Sequence, residues 1–213
     1  MQLTRLLRAI LLVSIFAWPT GEAAVFAAEP PAAGAFLAEL SRRAVDQLSD
    51  TGVPEAERER RFHALLTESF DIGAIGRFVL GRYWRAASED ERQAFLDVFK
   101  DVITHRFLPM FAGYQGEKLK VGEVRRAPEN PDVVNVSTMI SRPSGGPAQV
   151  TWRIRQSDGH RILDVVVEGV SMAITLRSEY GSFIQRHGGD VTALVEGLRK
   201  RVGGKSFSRQ ARR

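Results

Sequence analysis

Four histidines and a few regularly spaced carboxylates are the side chains of this 213-residue chain best placed to do chemistry. Asp97, Asp101 and His105 fall at i, i+4 and i+8 of a helical stretch, so they share one face and could begin a metal site. Three ligands on one exposed helix lack the supporting groups that orient a bound metal. A solvated polar stripe opposite Phe95, Phe99 and Val102 is therefore the better reading. His63 also falls in a helical stretch, while His160 and His187 fall at a turn and a helix end. Asp164 and Glu168 alternate with Val165 and Val167 in a strand pattern. Asp164 or His160 could act as a base inside a cone made by a curved sheet. The strand period instead favours an outer polar face with the valines turned inward. The chain has no cysteine, which excludes disulfides and thiolate metal sites. No phosphate loop or activated nucleophile is evident, and no metal or cofactor is expected.

The charge is concentrated at one end. Of the formal +5, the first 27 residues supply one and the last fifteen supply seven, so residues 28–198 stand at −3. The high isoelectric point belongs to a basic tail, which could touch anionic headgroups or nucleic acid. Phe207 is the tail's one aromatic, so it offers no base-stacking platform, and no nucleic-acid partner is expected. Arg5 and Arg8 followed by the apolar run Ala9 to Trp18 read as a secretory signal, too short to span a bilayer. Cleavage is expected after Ala27, with Ala23 the less favoured site and an uncleaved amphipathic anchor the rival reading. The absence of cysteine rules out a lipoprotein. No later run is long and apolar enough to span a membrane, so a soluble chain in the periplasm is the expectation.

The elements that would position these residues follow from periodicity. Pro30 and Pro31 mark an extended entry, and a helix is predicted over 33–48. A second helix starts behind Pro54, with acids in its first turn. Asp71 caps a third that Gly81 ends. Ser88 with Glu91 forms a capping box for a long helix to about Ala112, with Pro109 disturbing its last turn. After Gly116 the period changes to two. Strands are predicted from Leu119, over 133–140, over 149–155 and over 161–170, the last two joined at Asp158-Gly159. Two helices follow, over 172–186 and from an Asp190 cap. The order gives an α+β fold: a curved antiparallel four-stranded sheet packed against several helices. It is a single domain over 28–202, mainly helical over 28–115, sheet over 116–170 and helical over 171–202, with a disordered tail over 203–213.

Four blocks resemble the MlaC, or toluene-tolerance, family. They are Leu80-Gly81-Arg82-Tyr83-Trp84 with Glu91-Arg92, Phe95 and Phe99; Phe111 to Val121 around Tyr114 and Gly116; Trp152-Arg153 with Ile162 and Asp164; and Glu168-Gly169-Val170-Ser171 with Arg177-Ser178-Glu179 and Gly188-Gly189. The resemblance covers about 70–198. The wording GRFVLGRYWR and DVVVEGVSMA is also similar to the hopanoid-associated HpnM branch, so phospholipid and hopanoid both remain open as ligand.

The resemblance implies a non-enzymatic periplasmic carrier that holds acyl chains in an apolar cavity between sheet and helices. It implies two kinds of partner: an inner-membrane ABC-type lipid transporter and an outer-membrane lipoprotein–porin complex. The physics suits such a design. Each buried methylene contributes about 0.8 kcal/mol, so a 16-carbon chain is worth on the order of 12 kcal/mol in a dry pocket. On this reading the lining is expected from Leu80, Tyr83, Phe99, Ile103 and Phe107 of the helices and from Val136, Ile154, Val165, Val167 and Met172 of the sheet and its sequel. Arg82 and Arg153 are expected at the mouth, near a headgroup.

Overall fold

The computed structural model describes residues 31–142 and 146–210, with side chains over 32–142 and 146–203. The expected signal segment and residues 211–213 lie outside the described residues. Five helices come first: α1 (Pro31–Leu48), α2 (Glu55–Ser69), α3 (Ile72–Leu80), α4 (Arg82–Ala86) and α5 (Glu89–Ala112). A meander follows, made of β1 (Leu119–Ala127), β2 (Asn130–Ile140), β3 (Ala148–Arg155), β4 (Arg161–Val167) and β5 (Val170–Ser171). Helices α6 (Met172–Arg186) and α7 (Val191–Gln210) close the chain. Among the described residues no helix is long and apolar enough to cross a membrane.

Local chemistry explains most boundaries. The Asp71 side chain accepts the Ala74 amide at 2.9 Å and starts α3. Ser88 and Glu91 cap α5 reciprocally, at 3.2 and 2.8 Å. Pro31 is not an extended entry but part of the first turn of α1, where a missing N–H costs nothing. Helix α5 runs on through Pro109 to Ala112.

The sheet is antiparallel throughout, in the order β1-β2-β3-β4-β5, and has five strands rather than the expected four. The extra strand arises because the chain reverses after Val167. Glu168 and Gly169 both take positive φ, 49° and 81°, in a two-residue turn that folds Val170–Ser171 back onto β4. The short α4 was not anticipated either. Helix α7 also continues to Gln210, where no fixed structure was expected.

The interior has two main parts. In the helical part, Ile75, Val79, Leu80, Phe95, Phe99, Tyr180, Ile184 and Leu194 pack together. In the other, α1 lays Ala33 and Leu37 over Val134, Val136, Ile154 and Ile162 of the sheet. Phe70, at the α2–α3 link, touches both, and its backbone bridges to Ile162 of β4. Tyr180 is deep in the helical part, and burial pushes its phenol up to about 12. The unfolded phenol titrates near 10, so this contribution to stability is complete below about pH 10 and is lost as pH rises towards 12. Urea melts across that window should show a decline of about 2–3 kcal/mol, flattened in Tyr180→Phe.

Candidate functional site

The strand register assembles one continuous apolar face. Val134, Ile154 and Ile162 form one cross-strand row. Val136, Trp152 and Val165 form the next, and Thr138, Val150 and Val167 a third. Val121 and Val124 extend it on β1. The two polar groups on this face are satisfied within it. The Trp152 indole N–H donates to Thr138 Oγ1 at 2.9 Å, and that hydroxyl donates to the Val150 carbonyl at 3.0 Å. The face therefore presents hydrocarbon without an unmet hydrogen bond.

The first row is sealed by α1: Ile154 and Ile162 are fully buried. The later rows are less covered, since Trp152, Val165 and Val167 are only half-buried. On the helical side, Ile103 and Phe107 of α5 and Met172 and Leu176 of α6 are likewise half-buried. Helix α5 packs chiefly on α7, α2 and α3, whereas α1, α6, α3 and α2 hold the sheet. Apolar side chains on both sides of the fold are thus left incompletely packed. Such a surface can part to admit a greasy ligand at less cost than a close-packed core.

The expected lining residues fall into separate groups. Leu80, Tyr83, Phe99 and Ile103 belong to the helical cluster, while Val136, Ile154 and Val165 belong to the sheet cluster. Val167, Met172 and Phe107 lie outside both. Phe99 has no exposed surface; it stacks on Phe95 at 5.4 Å and meets Tyr180 edge-on at 6.4 Å. Arg82 lies over the Tyr83 ring at 4.8 Å and donates to its hydroxyl at 2.7 Å. Arg153 alternates with Ile154, projects from the opposite side of β3, and pairs with Glu129. Sequence reasoning did not name Trp152, Phe36, Leu40 or Phe70 as liners. Trp152 shares its parity with Ile154, and that signal alone would have placed it on the apolar face.

The polar candidates have structural work. Asp164 Oδ2 accepts from the Ser171 hydroxyl at 2.5 Å, and Oδ1 accepts the amides of Val165 and Ala173 at 2.8 and 2.9 Å. The carboxylate thus ties β4 to the start of α6. Asp164→Ala should cost about 1–3 kcal/mol in urea unfolding, as expected for a lost cap and stranded donors. Asp97 and Asp101 engage different groups: Lys100 at 2.9 Å and His63 at 3.4 Å. Lys100, with further help from Gln93, holds the Asp97 carboxyl below its usual range. His160 stacks on Phe36 at 5.4 Å. A cleft of about 490 Å³ between α6 and α7, floored by Tyr180, Phe183, Leu194 and Leu198, belongs to the helical part and not to the sheet.

Comparison with known proteins fits this geometry. The family model described as MlaC protein matches residues 38–200. The chain is 26% identical over 101 residues to the intermembrane phospholipid transport system binding protein MlaC of Haemophilus influenzae, a match covering 46% of this chain. The matched region spans about half the length of that curated relative, 47%. A phospholipid-binding protein from Ralstonia solanacearum, solved in complex with a phospholipid, shares the fold. Its TM-score is 0.65 at 21% identity, over 78% of this chain and 97% of that one. The family match runs through most of the chain, from within α1 into α7, and the protein belongs to the MlaC family.

Proposed function

We propose that the protein is a non-enzymatic lipid carrier that holds the acyl chains of a phospholipid against the inner face of its sheet. The observation that carries this reading is the incompletely covered apolar face of Trp152, Val165 and Val167, whose polar atoms are all satisfied internally. Half-buried Ile103, Phe107 and Met172 are the side chains nearest in character to an opposing wall. Both relatives are named for phospholipid, which favours that ligand over a hopanoid.

The carrier works in the periplasm, to which the N-terminal segment directs it. It collects and delivers lipid at an inner-membrane ABC-type transporter and an outer-membrane lipoprotein–porin complex. Binding and release are enough for this task, and docking on either complex would shift the carrier towards an opened state by favouring it. The test is transfer of a fluorescent phospholipid from donor to acceptor vesicles kept apart by a membrane that passes only protein. Transfer proportional to protein concentration is expected. Transfer no faster than in buffer alone would overturn the reading.

A further inference from the structure

A second recess, of about 340 Å³, opens where the α2–α3 link meets α5 and the end of the β3–β4 hairpin. Its polar lining is Thr67, Asp71, Gln93, Lys100, Arg155 and Arg161: three cations against one carboxylate. The cations come from three different elements. Arg155 and Arg161 are direct cross-strand partners, an arrangement that repels unless an anion lies between or beside them. Asp71 neutralises Arg155 alone. Lys100 is held by Asp97 at 2.9 Å. Arg161 makes no ion pair of its own among the described residues. It donates to the His160 carbonyl at 3.1 Å and senses Glu68, whose carboxylate Arg43 already grips at 2.6 Å. Arg155 Nε is buried without an acceptor among the described residues. The first turn of α3 adds Gly73 to the wall. Phe70, which lines the recess, is the side chain shared by the helical and sheet interiors.

We propose that this recess binds a phosphate group, either free phosphate or the headgroup of a carried lipid. Arg161 supplies the uncommitted guanidinium, whose planar fork suits phosphate oxygens, and Arg155 Nε and Lys100 complete the charge. The headgroup form rests on the carrier reading; the phosphate chemistry of the recess does not.

The experiment compares the full chain with Arg161→Gln and, on a separate element, Lys100→Gln, each checked for native circular dichroism. Inorganic phosphate is titrated calorimetrically. Lipid capture is measured separately from vesicles of phosphatidylglycerol and from neutral vesicles seeded with diacylglycerol of the same chains. Both variants should bind phosphate about tenfold more weakly, the loss expected for one charge-assisted contact. If the headgroup is the occupant, capture of phosphatidylglycerol falls in step while capture of diacylglycerol is unchanged. If free phosphate is the occupant, capture of both lipids stays at wild-type level. Phosphate binding and lipid capture both unaffected in both variants would overturn the proposal. A wild-type chain that binds phosphate but captures neither lipid would support the free-phosphate form and sink the carrier reading alone.

Discussion

Replacing Val165 with glutamate should abolish lipid capture. Val165 sits in the row with Val136 and Trp152 and packs on the sheet cluster, half-buried at the point where cover by α1 ends. A carboxylate there must either remain ionised in hydrocarbon or take up a proton, and either course costs several kcal/mol against a bound acyl chain. At about 1.4 kcal/mol per factor of ten, retention should fall at least a hundredfold. Val167→Glu should act likewise from the next row. Thr151→Glu is the control: it alternates with Trp152 and Val150, pairs with Ser137 and Val166, and projects from the other side of the sheet. Mass spectrometry of extracted lipid, normalised to folded protein, reads the effect. Lipid content equal to wild type in folded Val165→Glu and Val167→Glu would place the ligand elsewhere.

The largest loss of stability is expected from Phe99→Ala. Its ring is sealed between Phe95 and Tyr180, with no surface exposed to solvent. Truncation removes the apolar transfer energy and leaves a cavity bounded by α3, α5 and α6, for a cost of about 3–5 kcal/mol. Against a typical total of about 5–15 kcal/mol, that is a large fraction of the whole. The urea midpoint should drop by roughly 2 M, given a slope of about 2 kcal/mol per molar. Met110→Ala, at a side chain 68% exposed, should change stability by less than about 0.5 kcal/mol. A small effect at Phe99 would mean that this part of the helical interior is loosely packed and could itself open to a ligand.

The comparison of these two sites shows how far sequence patterns reach. Caps and turns were legible because they depend on neighbours in the chain. The Asp71 and Ser88 caps form as expected, and Asp158-Gly159 takes the left-handed pair of conformations that a tight reversal requires. The Glu168-Gly169 reversal was hidden. Glutamate is an uncommon occupant of positive φ, and the apolar alternation continues past it into Val170. The five-residue α4 is too short for any period to show.

The candidate site was legible only as far as parity goes. Alternation puts Val134, Val136 and Thr138 on one face and Val133, Asn135, Ser137 and Met139 on the other; Thr138 is buried and Met139 41% exposed, but Val133 on the second face is buried as well. Helical period told which side of α5 is apolar, but not what that side meets. Phe99 therefore looked like Ile103 and Phe107, although it packs against α6 while they stay half-buried. The recess around Arg161 left no local signal at all. Its cations are brought together by a cross-strand pair and by a helix more than fifty residues earlier in the chain.

The most direct test of the central claim is native mass spectrometry on protein purified from periplasm without detergent, before and after solvent extraction. The account predicts a bound phospholipid at a fixed ratio to protein, lost on extraction and regained on incubation with vesicles. Protein at its bare mass that also takes up no lipid from vesicles would contradict it.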